Sequence, residues 1–269
     1  KIAQLVSLSD DGGKTWTLMG TLNDDRVLAE HGFVSLVPEG EHGVRAFWLD
    51  GRAMTGDGPM GEGGGDMQLR TTIIDDKVQK SELLDDRVCE CCQTDAVVVE
   101  GEAVVIYRDR SDTEIRDISI SGIGRTPKNI FADQWSIEGC PVNGPSMDVL
   151  GDTFVAAWYT SPSNKSAVYV TFSEEPIKVS SSILGRVDVL AVGKDKVTVC
   201  WLEPNGDTAS VTLADVPRDG TIENKQIVAQ VSPLRSSGFP RLAKVNGGIL
   251  VAWTDLEREV GISTNFFPN

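Results

Sequence analysis

Polar and apolar residues alternate in short runs along this chain, and no window of a dozen residues carries the spacing of an amphipathic helix. The runs are bounded by Gly, Asn and Asp, residues that close turns, so the pattern predicts β-hairpins throughout. One phrase recurs five times: a short apolar strand, a turn, and a second strand ending in an aromatic. The second strands end at Trp48 (RAFWLDG), Tyr107 (VVIYRDR), Trp158 (VAAWYTS), Trp201 (TVCWLEP) and Trp253 (LVAWTDL), at intervals of 59, 51, 43 and 52 residues. First strands are predicted at Phe33–Val37, Asp95–Val99, Ser146–Leu150, Val187–Val192 and Arg241–Val245. Third strands follow at Met67–Ile74, Glu114–Ile120, Ser166–Phe172, Thr208–Leu213 and Val260–Thr264. Fourth strands are expected near Val78–Leu83, Trp135–Glu138, Ile177–Ser181 and Gln226–Val231.

One such repeat cannot bury its own apolar face, so repetition near this length implies a radial array. The expected fold is all-β: a six-bladed β-propeller of four-stranded antiparallel blades forming one domain over residues 1–269. Residues Ile2–Leu22 supply only the outer half of a blade, so the first blade is incomplete; five blades is the alternative count. Forty per cent hydrophobic residues are enough for a core. The net charge of −15 argues against nucleic acid or an anionic membrane surface as partner. No apolar run approaches the roughly 20 residues of a membrane helix, so membrane insertion is not expected. The chain opens on Lys1 rather than Met, which suggests a processed or truncated product.

Ser9-Asp10-Asp11-Gly12-Gly13-Lys14-Thr15-Trp16 fits the pattern Ser-x-Asp-x-Gly-x-x-Trp. Asp11 can accept backbone N–H groups that close the turn, the glycines allow positive φ, and Trp16 can pack beneath the loop. This is the Asp box, and through it the chain resembles the sialidase-like (BNR-repeat, neuraminidase superfamily) propellers. The resemblance implies six blades, with the box between the third and fourth strands of one of them. It also implies a secreted or periplasmic location.

Strand polarity brings the loops before first strands and the loops between second and third strands to one rim. Arg forks bind carboxylates in pairs of hydrogen bonds. Arg52, Arg108, Arg110, Arg116 and Arg186, with Asn143, are therefore candidate ligands for a glycan or another small anionic molecule. Sialidases use an arginine triad, a Tyr–Glu nucleophile pair and an Asp acid/base. By rim position, Tyr159 with Glu203, and Asp50 or Asp109, could fill the last two roles. The Phe/Tyr-Arg-Ile-Pro motif of that family has no counterpart here, and no three arginines match its triad.

Cys200 sits beside Trp201 in an apolar strand and reads as a small hydrophobe. Cys89, Cys91, Cys92 and Cys140 read first as disulfides locking the rim. The alternative is a thiolate metal site with His31, for copper or zinc. His42 falls in a hairpin turn. No cofactor is expected. Three functions stay open: a sialidase-like glycoside hydrolase, a non-catalytic propeller binding carbohydrate or protein, and a propeller carrying a cysteine-based metal site.

Overall fold

A computed structural model describes residues 3–55, 64–173, 175–256, 258 and 261–268. The described chain is all-β, in six antiparallel sheets, with single 3-10 turns at Arg52–Met54, Pro162–Asn164 and Arg235–Ser237. Its residues fall into two compact units. The first holds Lys1–Asn129 and Ile137–Cys140, the second Ile130–Ser136 and Pro141–Asn269.

The first unit opens on the hairpin β1 (Leu5–Leu8) and β2 (Thr17–Thr21), joined through the turn at Ser9–Trp16. Asp11 Oδ1 accepts the backbone N–H groups of Lys14 and Thr15, each at 2.9 Å, and Asp11 Oδ2 accepts the Thr15 hydroxyl at 2.8 Å. The Trp16 indole donates to the Gly13 carbonyl at 3.1 Å, so the ring leans on the loop while staying exposed. Strands β3 (His31–Glu39), β4 (Gly43–Asp50), β5 (Gln68–Ile74) and β6 (Glu82–Asp85) form a meander. So do β7 (Asp95–Val99), β8 (Glu102–Arg108), β9 (Ile118–Gly122) and β10 (Lys128–Phe131), the last lying at the boundary of the units. Apolar side chains from the two meanders merge in one core around Phe47, Leu49, Leu69, Val105 and Tyr107. Ser35 on β3 and Thr94 before β7 share a buried hydroxyl hydrogen bond of 2.7 Å, which ties the first strands together.

The second unit holds β11 (Ser146–Leu150), β12 (Thr153–Thr160), β13 (Ala167–Thr171) and β14 (Ile177–Ser181) as one meander. The next comprises β15 (Gly185–Ala191), β16 (Lys196–Asn205), β17 (Thr208–Pro217) and β18 (Glu223–Val231), and the last has β19 (Arg241–Val245), β20 (Gly248–Thr254) and β21 (Ile262–Pro268). First strands again meet side by side. Asp188 on β15 accepts the Ser146 hydroxyl of β11 at 2.7 Å and the Leu242 N–H of β19 at 2.6 Å. Val, Ala and Trp side chains of β12, β13, β15 and β16 fill the space between the first two sheets.

Two strand expectations are corrected. The segment Trp135–Glu138 is not a strand; the fourth strand of that sheet is Lys128–Phe131. Trp135 instead packs edge-on against Tyr159, with ring centroids 5.4 Å apart. The final third strand begins at Ile262, and Val260 lies outside the described residues.

Candidate functional site

The aromatics that close the second strands are fully buried at Trp48, Tyr107, Trp158 and Trp201. A buried indole or phenol needs a hydrogen-bond acceptor. Each of these has a carboxylate: Trp48 donates to Asp50 at 2.8 Å, Trp201 to Glu203 at 2.9 Å, Trp158 to Asp133 at 2.9 Å and Tyr107 to Asp85 at 2.6 Å. Strand period two puts a residue and its second neighbour on one face, which is why Trp48-x-Asp50 and Trp201-x-Glu203 pair locally.

That geometry gives two of the expected catalytic carboxylates, Asp50 and Glu203, internal partners. Asp50 is fully buried and spent on Trp48 and Arg52. Glu203 accepts Trp201, the Ser180 hydroxyl at 2.9 Å and Lys225 at 2.8 Å, three donors on one carboxylate oxygen. Burial opposes the charge on Glu203, but the Lys225, Trp201 and Ser180 donors outweigh it and hold the carboxyl below its usual range. Asp109 differs. Burial, then the charge of Asp85, pushes its carboxyl above the usual range, and it accepts the Ser119 hydroxyl at 3.0 Å.

The arginine expectations also change. Arg52 pairs with Asp24 at 2.9 Å, Asp25 at 3.2 Å and Asp50 at 2.8 Å. Arg110 pairs with Glu114 at 2.7 Å and reaches Asp66 at 3.4 Å. Arg116 pairs with Glu90 at 2.9 Å and Glu114 at 2.7 Å, while Arg108 donates to the Arg116 carbonyl at 2.5 Å. In the second unit, Arg186 is buried and donates to the Ser237 hydroxyl and the Pro233 carbonyl. The Asn143 side chain accepts the Arg186 backbone N–H at 2.7 Å and donates to the Pro141 carbonyl at 3.1 Å, so its amide braces the chain. Each of these forks is engaged by protein groups, and they do not converge on one open anion site.

The cysteine expectations divide. No disulfide joins any of the five cysteines. The sulfurs of Cys89, Cys91 and Cys92 lie within 4.8 Å of one another, with Cys89 at 3.2 Å from Cys92 and 3.8 Å from Cys91. The neighbouring sulfurs of Cys91 and Cys92, and then the Arg108 charge, hold the Cys89 thiol well below the usual range, against its burial. The Cys89 and Cys92 sulfurs push Cys91 up; burial is the main force raising Cys92. His31 does not join them. It is buried between Asp25, 3.8 Å away, and Asp50, 3.4 Å away. Cys140 is exposed, and His42 is an exposed hairpin residue.

Trp253 breaks the pattern of the other four aromatics. Its ring is partly exposed and, among the described residues, no acceptor pairs with its indole N–H. It lines a groove of about 590 Å³ with Asp207, Thr208, Gln230, Pro233 and Asp255. Asp255 is itself set by the Ser263 hydroxyl at 2.7 Å, across the β20–β21 pairing. A larger groove of about 820 Å³ runs past the other ends of these strands, lined by Lys196, Asp215, Asn224, Lys225 and Phe267. There the Asp215 carboxylate is already bonded to Thr198 at 2.6 Å and Asn224 at 2.9 Å. Trp253 was legible as a repeat aromatic, but nothing in its segment distinguishes an open ring from a sealed one.

No protein-family profile and no curated protein matches the chain. Solved structures do. The SapL1 lectin in complex with alpha methyl fucoside is 10% identical over 99% of this chain and 96% of its own, with a TM-score of 0.54. The Aleuria aurantia lectin in complex with Fucalpha1-6GlcNAc is 12% identical over 95% of this chain and 85% of its own, with a TM-score of 0.53. A variant of AofleA from Arthrobotrys oligospora is 12% identical over 95% and 78% of the two chains, also with a TM-score of 0.53. At such identities the likeness is one of fold: repeated antiparallel sheets as in the propeller lectins. The first two are named as lectins and none of the three as a sialidase, which narrows the resemblance carried by the Asp box.

Proposed function

We propose that this chain is a non-catalytic, carbohydrate-binding propeller, its six sheets the blades and the Trp253 groove its sugar site. The observation that carries this reading is the Trp253 ring. At four equivalent positions the aromatic is sealed and its polar atom satisfied; here the ring is partly exposed and, among the described residues, its donor meets no protein acceptor. A sugar offers C–H faces that stack on an indole and hydroxyls that pair with Gln230, Thr208 and the carboxylates. The groove mixes polar residues, among them Asp207, Thr208, Gln230 and Asp255, with the apolar Val231, Pro233, Trp253 and Leu256, so it offers both hydrogen bonds and an apolar floor. The groove is lined by Asp207 and by Asp255, which pairs with Arg258 at 3.3 Å, and by no Lys or Arg, so a neutral sugar suits it better than the anionic ligand expected from the arginines. The lectin complexes with fucosides support the class, and a deoxyhexose is a reasonable first probe.

The test is a glycan array followed by calorimetry on the wild type and Trp253→Ala. Binding of a neutral glycan that weakens at least about tenfold in the variant, a loss near 1.4 kcal/mol, is expected. No glycan bound, or equal binding by the variant, would overturn the site. Hydrolysis is a second reading, favoured by Asp109 alone, whose raised carboxyl suits a general acid. Turnover of fluorogenic glycosides abolished by Asp109→Asn would establish it; no turnover removes it.

A further inference from the structure

The three sulfurs of Cys89, Cys91 and Cys92 play no part in the carbohydrate reading, and burial alone does not explain why they cluster. We propose that they form a thiolate site for a soft metal ion, Cu(I) held by three sulfurs. Metal–thiolate bonds of about 2.3 Å place sulfurs on a common ion a little under 4 Å apart. The observed separations of 3.2 and 3.8 Å are close to that, so small rotamer adjustments would seat one ion.

The backbone on both sides of the cluster is pinned, which presets the ligands. The Val88 N–H donates to the Met67 carbonyl at 2.9 Å and the Cys89 N–H to the Arg108 carbonyl at 3.0 Å. Just beyond Cys92, the Thr94 hydroxyl donates to the Phe33 carbonyl at 2.8 Å. The surroundings are charged rather than apolar. Arg116 Nη1 lies 3.3 Å from the Cys89 sulfur and is anchored by Glu90 and Glu114; its Nε is buried without a hydrogen-bond partner. A guanidinium held against a sulfur stabilises thiolate and fixes ligand direction. Cys200 shows the contrast: one thiol in a wholly apolar cluster with Leu202, Val211 and Val251 behaves as a hydrophobe.

The donor set decides the metal. Three sulfurs with no imidazole or carboxylate in the group favour a soft ion, and His31 is grouped instead with Asp25 and Asp50. Structural zinc takes four ligands almost without exception, so three thiolates suit Cu(I) better. Cys91 is less buried than its partners and gives the ion a way in. Binding exchanges protons for metal: any thiol still protonated releases its proton to solvent. No electron is transferred and no co-reactant is required.

The test uses the full chain, purified under reductant without chelator and titrated with Cu(I) against a chromophoric Cu(I) chelator. One copper per chain is expected, with affinity falling by roughly tenfold or more in Cys91→Ser. The near-ultraviolet dichroism of that variant should match wild type. X-ray absorption should show sulfur neighbours alone. In wild-type protein, Cu(I) should also slow iodoacetamide alkylation of Cys91, a readout that needs no variant. Failure to retain copper, retention unchanged in Cys91→Ser, nitrogen or oxygen neighbours, or tighter binding of zinc would each overturn the assignment. So would a Cys89–Cys92 disulfide in protein kept under argon. Glycan binding at Trp253 is read separately and does not depend on any of these outcomes.

Discussion

An indole N–H sealed inside a β-sheet needs an acceptor, and in this chain a carboxylate supplies it. The sequence shows the aromatic period plainly, and Trp48-x-Asp50 and Trp201-x-Glu203 carry the acceptor two residues on, where strand geometry puts it on the same face. Asp50 and Glu203, expected on the rim as catalytic groups, are the acceptors that this spacing supplies. Asp133 and Asp85, which serve Trp158 and Tyr107, come from distant segments, and no local spacing reveals them. Asp50→Ala would leave both the Trp48 donor and the Arg52 charge without their buried acceptor. A loss of about 3–5 kcal/mol is expected in urea unfolding. Acid should act the same way. Burial opposes the charges of Asp24 and Asp50, yet hydrogen bonds from Ser81 and Arg52 hold Asp24 down at about 2, and those from Arg52 and Trp48 hold Asp50 below its ordinary range. A depressed folded pKa gives stability that is present above the unfolded pKa and lost as pH falls through the folded one. Asp85 and Asp109, raised chiefly by burial, have the opposite sign: their contribution fades as pH rises. Melting temperature should therefore drop as pH falls from about 5 toward about 2, and drop less steeply in Asp50→Asn.

Three of the five repeats share a backbone feature that residue types alone conceal, at or just before the first strand. Phe33, Arg186 and Gly238 each lie fifteen residues before the closing aromatic, at φ 53°, 57° and 61°. In β3 and β15 the pairing register slips there, between Gly32 and Ser35 and between Gly185 and Asp188. The fifteen-residue column was visible in the sequence; the left-handed turn was not, because Phe and Arg give no hint of it while glycine does. The slip matters because it sets Ser35 and Asp188 toward their neighbours Thr94 and Ser146. Gly185, at φ 93°, sits where a Cβ would come within 2.2 Å of the Asn143 amide oxygen, the acceptor of the Arg186 N–H. Gly185→Ala should thus strain the backbone and displace that brace, costing about 1–3 kcal/mol in equilibrium unfolding. Equal stability would mean that the slip tolerates a side chain. The hairpin through Ser9–Trp16, by contrast, was fully legible, since every bond that closes it is local.

At the scale of the whole molecule, the all-β meanders followed from the aromatic period and the turn residues, whereas the site turned on exposure, which sequence cannot show. Charge joins the two levels. The chain carries −15, and its Arg52, Arg110 and Arg116 forks are already matched by protein carboxylates. An approaching anion therefore meets a repulsive field with no unmatched fork among those three to receive it, and that field is screened over about 10 Å at 0.1 M salt. A neutral sugar stacked on Trp253 feels little of this. The prediction is a pairwise one: between about 0.05 and about 0.5 M sodium chloride, affinity for a neutral glycoside should stay nearly constant. Affinity for its sialylated counterpart should be weaker at low salt and recover toward the neutral value as salt rises. Calorimetry of the two ligands across that series checks it. Tight low-salt binding of the sialoside, lost on adding salt, would show an attractive anion site and return the arginines to the centre of the chemistry.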